Sequence, residues 1–282
     1  MTVDRPGRRS IGGISADQPV FAAVAIASAA FAIFFLAPFA GLVYRAAQNR
    51  DVWHLLSADV ARQALVLSLW TSTLSTVIAI TFGTGVAYLL ARSSFPGKAL
   101  VDAIIDLPIV LPPTVAGVAL LVAFGRKGLI GQPVDHWFGF TFGFSTLAVI
   151  MAQLLVASPF YVRAAKGGFE SIDPQMTRVA YTLGASRTRT FLRVVLPQTW
   201  PALLAGIVLC WSRAMGELGA TLIFAGNLQG RTQTMPLAII QAFEGTSLGL
   251  DGAIALSLIL LAVALTVLVL FRVLTRRAIT TG

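Results

Sequence analysis

Arg213 and Glu217 stand four positions apart inside a long apolar run, among Ser212, Gly216, Gly219 and Thr221. On a helix that spacing puts both charges on one face, within reach of each other. A lone charge at mid-membrane costs about 3 kcal/mol on insertion scales, so the sequence argues against an unpaired, lipid-facing placement. Two roles fit the pair. It can line a conduit, with Arg213 supplying positive potential for an anion and Glu217 keeping that anion from binding too tightly. It can equally brace a bundle as a buried ion pair. A second constellation, L-P-I-V-L-P-P-T-V-A-G over 107–117, carries three prolines and can turn Thr114 and Gly117 toward a neighbouring helix or a pore. Thr114, Ser212, Arg213, Glu217 and Thr221 are therefore the candidate translocation path.

Other chemistry is missing from the sequence. It has no G-x-x-x-x-G-K-[ST] loop to cradle nucleotide phosphates. His54 and His136 are scattered, neither near a cysteine or a second histidine, so no metal site is expected. No paired carboxylates and no serine–histidine arrangement suggest hydrolysis. The single cysteine, Cys210, lies in an apolar run, which rules out an intrachain disulfide framework.

The most ordered polar stretch is a basic island over 171–197, S-I-D-P-Q-M-T-R-V-A-Y-T-L-G-A-S-R-T-R-T-F-L-R-V-V-L-P. Asp173 before Pro174 reads as an N-cap followed by a proline at the first helical position. Met176, Val179, Ala180 and Leu183 then fall at the spacing of one apolar helical face. Gly184 can close that helix in the left-handed conformation. After Ala185, Ser186 can cap a second helix with Phe191, Val194 and Val195 on one side, and Pro197 marks a new start. A solvated loop has no need of an apolar stripe, so the island reads as a docking surface.

The elements that must position these residues are membrane helices. The chain has 282 residues, of which 56% are hydrophobic and only 12% charged, with mean hydropathy +0.81. Soluble domains carry about 25% charged residues, so these values predict an all-α polytopic membrane protein. Six runs are long enough to span: about 20–44, 64–91, 107–124, 144–162, 199–225 and 252–274, with the third interrupted by Pro108, Pro112 and Pro113. Continuous rather than alternating apolar runs favour helices over a barrel. The first run follows Arg5, Arg8 and Arg9 but is too long for a signal-peptide core and is read as a retained helix. With both termini cytoplasmic, fourteen Lys and Arg fall inside and six outside (Arg45, Arg50, Arg62, Arg126, Lys127 and Arg231). That asymmetry predicts cytoplasmic termini and places the basic island in the cytoplasm. It also assigns the net charge of +9 to topology rather than nucleic-acid binding. The expected organisation is a cytoplasmic segment 1–19, one transmembrane domain 20–274 with a cytoplasmic loop 163–198, and a cytoplasmic tail 275–282. The outer loop 125–143 is rich in glycine and aromatics and can include a short interfacial helix. The stretch 226–251 is expected outside the membrane, with Arg231, Thr232 and Thr234 as donors.

The spacing of Ala180, Gly184, Val194, Leu196 and Pro197 resembles the loop by which permease subunits of bacterial ABC importers engage a separate ATPase. Two positions depart from that pattern: Arg178 stands where the family often has Glu, and Val179 where it has Ala. The resemblance implies coupling roles for Met176, Arg178, Val179, Ala180, Leu183, Gly184, Ala185, Ser186, Val194, Leu196 and Pro197. The runs 107–117, 157–163 and 216–239 also resemble molybdate permeases, and sulfate permeases share a similar G-E-x-G and A-G-N pattern. The T-M-P-L-A-I ending favours molybdate. This second resemblance covers about residue 63 to the end. It implies an inner-membrane homodimer over two cytoplasmic ATPase subunits, fed by an external oxyanion-binding protein. It implies no cofactor in this subunit, with ATP and Mg on the partner. A sulfate, thiosulfate or tungstate importer and an ion-coupled secondary anion transporter are the alternatives. A membrane enzyme is disfavoured because no catalytic set appears.

Overall fold

A computed structural model describes residues 18–49, 52, 59–245 and 249–280, side chains at 18, 19, 272 and 274–280 excepted. Arg5, Arg8, Arg9, Arg50 and His54 lie outside the described residues. The chain divides into two compact units, Met1–Asn49 and Arg50–Gly282, where the sequence suggested one domain over 20–274. In the first unit, α1 (Gln18–Gln48) is apolar on all sides. It pairs Phe31 with Phe35, ring centroids 4.9 Å apart.

All regular structure among the described residues of the second unit is helical. Its elements are α2 (Asp59–Arg92), α3 (Lys98–Val110), α4 (Pro113–Phe124), α5 (Gly131–Phe138) and α6 (Thr146–Glu170). They continue with α7 (Pro174–Thr182), α8 (Arg187–Thr190), α9 (Leu196–Met215), α10 (Gly219–Ala225), α11 (Met235–Phe243) and α12 (Gly249–Thr280). Among the described residues, five helical spans are long and apolar enough to cross a membrane, six if the bent pair α3–α4 is one span, in line with the sequence count.

The helix α6 is the centre of the unit. It packs on α2 and α9 through small residues: a Cβ on Gly168 would stand 2.6 Å from Ala202, and one on Gly206 2.9 Å from Ala164. Lipid tails are as apolar as leucine, so helices in a bilayer associate by such close packing and by polar contacts rather than by hydrophobic exclusion. The polar contacts are present. Ser75 donates to the Ile150 carbonyl at 3.2 Å and pairs with Gln153 Oε1 at 3.2 Å, all within the buried seam of α2 and α6. At one end of the bundle Tyr88, Phe169 and Phe191 form an aromatic knot, with Tyr88 edge-on to both partners.

Five expectations change. The third span is two helices, α3 and α4, bent by 117° at Leu111–Pro112, because prolines there withdraw amide donors from the ladder. The fifth is not continuous over 199–225: α9 ends at Met215, and α10 begins only at Gly219. The loop 163–198 begins later, since α6 continues through Arg163 and Lys166 to Glu170. The stretch 226–251 is not simply external, for Thr232, Gln233, Thr234 and Met235 are all buried, and Met235 N donates to Ser68 Oγ on α2 at 2.7 Å. The C-terminal helix also extends to Thr280, past the predicted end at 274. The loop 125–143, expected outside, does contain a short helix, α5, with Trp137 and Phe138 exposed.

Candidate functional site

Two regions gather the candidate residues. The first is the unit built on α7, and its capping is specified by sequence. Asp173 accepts a hydrogen bond from Gln175 N at 2.8 Å, and Pro174 occupies the first turn. At the other end Ala185 N donates to the Ala180 carbonyl at 3.0 Å and Gly184 N to the Tyr181 carbonyl at 3.0 Å. Those two bonds, with Gly184 at φ +79°, form a Schellman closure. Ala180 and Ala185, both half-buried, sit at its two ends. A Cβ on Gly184 would meet nothing within 4 Å, so the backbone angle alone demands glycine. The apolar stripe faces outward: Met176 and Val179 are exposed, and Leu183 is 82% exposed. Arg178 is exposed beside them. Ser186 caps α8, accepting from Arg189 N at 3.3 Å.

The second helix of this unit departs from expectation. Residues Phe191–Val195 form a wider π-helical turn that runs directly into α9, so Pro197 continues a helix rather than starting one. Leu196 N bonds back to the Phe191 carbonyl, five residues away. The extra residue turns Phe191 and Val195 inward, Phe191 into the aromatic knot and Val195 to full burial. Val195 is therefore covered by the protein's own bundle, and Phe191 is half-covered by it. Val194 and Leu196 are half-buried and Pro197 is exposed. The outward-facing helix α7 thus sits beside a helical extension of a candidate membrane span, and Arg92 Nη2 ties its base by donating to the Ile172 carbonyl at 3.1 Å.

The second region is the break between α9 and α10. Arg213 lies in the last turn of α9 and Glu217 just beyond the helix end, not in mid-helix as expected. They pair across 2.8 Å, with the Glu217 side chain 1% exposed and that of Arg213 28%. Glu217 Oε1 also accepts from Ala220 N at 2.8 Å, satisfying an amide that the start of α10 would otherwise leave bare. The carboxylate thus holds both sides of the break. Backbone contact holds the far side: a Cβ on Gly117 of α4 would lie 2.8 Å from Ile223 Cβ and 2.9 Å from Ala220 Cα. One on Gly219 would lie 2.9 Å from Pro113. Thr114, Ser212 and Gly216 are exposed around this break, whereas Thr221 is fully buried. The candidate path divides accordingly into an outward group (Thr114, Ser212 and the partly exposed Arg213) and an inward group (Glu217, Thr221).

Sequence reasoning missed one set of charges. Asp102 and Asp106 on α3 face Lys166 and Arg163 on α6. The signal was available: carboxylates four apart in an apolar helix, and cations three apart in another, need partners.

Residues 79–280 match the family model described as the binding-protein-dependent transport system inner membrane component. The chain belongs to that family. Among its relatives, the "Molybdenum transport system permease protein ModB" of Escherichia coli is 41% identical over 211 residues, 75% of this chain and 92% of that protein. The protein of the same description from Mycobacterium tuberculosis is 40% identical over 233 residues, 82% of this chain and 86% of its own. A "Probable sulfate transport system permease protein" of Chlorokybus atmophyticus is 35% identical over 240 residues, 84% of this chain and 83% of its own. Among solved structures, a bacterial ABC transporter involved in import of the polysaccharide alginate superposes with TM-score 0.73 at 17% identity, covering 94% of this chain and 97% of that one. At that identity the likeness shows the fold, which is the all-helical permease fold. Membership also fixes the protein as a multi-pass inner-membrane component of a binding-protein-dependent transport system.

Proposed function

We propose that this chain is the membrane-spanning subunit of an ATP-driven importer that moves molybdate, and the closely similar tungstate, into the cytoplasm. Supporting the substrate are relatives 40–46% identical whose names specify molybdenum transport. Supporting the machine is the outward apolar stripe of Met176, Val179 and Leu183 on a helix closed by Gly184.

The assembly we propose has two copies of this chain over two cytoplasmic ATPase subunits, with an external binding protein delivering the oxyanion. ATP and Mg bind on the ATPase, and this subunit needs no cofactor of its own. Both termini and the α7 unit face the cytoplasm. ATP-driven closure of the ATPases draws the α7 units together, and because α8 continues into α9, the motion reaches the break at Gly216–Leu218. The face carrying Thr114, Ser212 and Arg213 then lines the conduit between the two copies. An arginine partly neutralised by Glu217 attracts a dianion without trapping it, as a conduit must bind weakly enough to release. Met176, Arg178, Val179, Ala180, Leu183, Gly184, Ala185 and Ser186 form the coupling surface, and Val194, Leu196 and Pro197 its connection to the membrane.

Uptake competition in cells carrying the complete system tests the substrate. Labelled molybdate uptake should be suppressed by tungstate at low excess and little by sulfate. The 35% identity to a sulfate permease favours sulfate as the second reading. Competition by sulfate but not by tungstate would establish it.

A further inference from the structure

The helix α3 is held to its neighbours by two ion pairs and by the half-buried Ile105, which packs against the core around Ala79, Tyr161 and Val162. None of its residues is fully buried. An apolar cleft of about 610 Å³ separates it from its neighbours, lined by Phe82 and Gly83 of α2, Ile104 and Pro108 of α3, and Leu155 and Pro159 of α6. Apolar surface along such a cleft is satisfied as well by lipid as by protein, so it exerts little pull of α3 onto α6. The polar links are ionic. Arg163 Nε and Nη2 donate to the two oxygens of Asp106, each at 2.6 Å. Lys166 Nζ reaches both oxygens of Asp102, at 2.8 and 2.9 Å, and stands 3.9 Å from Glu170 on its own helix. Two pairs at different heights along two helices resist both sliding and rotation, where one pair would be a pivot. The forked Arg163–Asp106 contact adds a fixed plane.

Both ends of α3 are non-helical joints. Gly97 at φ +86° precedes it, and the 117° elbow at Leu111–Pro112 joins it to α4. Beyond the elbow, α4 meets α10 backbone to backbone at Gly117 and Gly219, beside the Arg213–Glu217 break. In the other direction α6 leads through Ser171 and Ile172 into α7.

We propose that the pairs Asp102–Lys166 and Asp106–Arg163 make α3 a coupling rod, staying closed through the cycle and carrying displacement of α6 at the docking end to α4 and the α9–α10 break. The four residues are positioning residues. The proposal rests on the transport reading above.

The test uses the full complex of this chain, its ATPase and its binding protein in proteoliposomes, and reads molybdate taken up per ATP hydrolysed. Arg163→Gln with Lys166→Gln should leave the complex assembled and hydrolysing ATP, while uptake per ATP falls about tenfold, within the usual range of coupling between sites. Arg163→Asp alone should lower uptake per ATP in the same direction, and adding Asp106→Arg to it should restore most of that loss. The exchange is made there because reversing Lys166 would set two carboxylates one turn apart with Glu170. A separate arm does not depend on the neutralised variant assembling. Cysteines at Asp102 and Lys166 in a Cys210→Ser background, joined by a short bis-methanethiosulfonate that loses a sulfinate as each reducible disulfide forms, should support uptake within about twofold of the unjoined protein, below the smallest usual coupling factor. Neutralised complexes that couple like wild type would overturn the proposal. So would a bridge that blocks uptake until it is reduced, since the helices would then part in each cycle. A wild-type complex that takes up sulfate but not molybdate removes only the substrate assignment, and the same comparison then runs with sulfate.

Discussion

Gly184 and Gly117 are the same residue type placed for opposite reasons. At Gly184 the backbone stands at φ +79° in open space, and no atom waits where a Cβ would go. Gly117 has ordinary helical angles, but a Cβ there would fall 2.8 Å from Ile223 and 2.9 Å from the Ala220 backbone. One ends a helix in water, where the chain must cap itself through Asp173, Gly184 and Ser186. The other allows a helix broken inside the bundle to be held by its neighbours, with Glu217 supplying the missing acceptor. Breaks facing water are specified locally. Breaks inside the membrane are specified by packing and by a buried charge.

The largest effect should come from removing the charge at the inner break. Glu217→Ala strips Arg213 of its partner and leaves Ala220 N without an acceptor, at a cost of about 3–5 kcal/mol if the site is dry. Heating the detergent-purified protein and following its loss of monodispersity reads this directly. Glu217→Gln keeps an acceptor for Ala220 N and removes only the ion pair, so it should sit between the alanine variant and wild type. If the glutamine variant assembles normally and alters transport, Glu217 lines a wetted conduit. If it merely fails to assemble, the pair is a brace.

The same contrast explains what could be read from the sequence. The α7 caps, its stripe and its glycine were legible, because each is a relation between residues a few positions apart. The break at Gly216–Leu218 was not, because M-G-E-L-G carries no proline and the contact that holds the far side comes from Gly117 on another helix. The elbow at Leu111–Pro112 lay between, for the prolines were visible but not the 117° they produce. Phe191 and Val195 were assigned to a partner-facing side because a standard helical turn was assumed. The π-helical turn rotates them onto Tyr88 and into the core. Thr232 and Thr234 were placed outside by their polarity, yet they are buried at the start of α11.

A paired substitution sharpens the comparison at intermediate size. Gly117→Ala should destabilise the protein by about 1–3 kcal/mol through overpacking against α10. Gly184→Ala meets no atom and carries only the left-handed backbone cost of about 1–2 kcal/mol, confined to the α7 closure. Thermal stability of the bundle should therefore fall in the first and hardly change in the second, while ATPase association should weaken only in the second. Asn at Gly184 should recover most of that association, because asparagine tolerates the left-handed region. Equal loss of thermal stability at both positions would break the distinction drawn between them.

The smallest effect on folding, and the most informative about coupling, is expected from Leu183→Ala. With 82% of its surface exposed, Leu183 contributes almost nothing to the core, so folding stability should change by less than about 0.5 kcal/mol. An exposed leucine beside the less exposed but also outward Met176 and Val179 nevertheless has a specific use if a groove on the ATPase receives it. Truncation should then weaken association by about 1 kcal/mol or more, roughly fivefold, with Thr188→Ala on the neighbouring α8 as a control that leaves it unchanged. Titrating the purified ATPase against the detergent-solubilised protein gives both numbers. Unchanged association in Leu183→Ala and in the Met176→Ala, Leu183→Ala double variant would mean that the stripe on α7 contacts nothing. The outward half of the comparison would then reduce to a well-capped connector between two membrane spans.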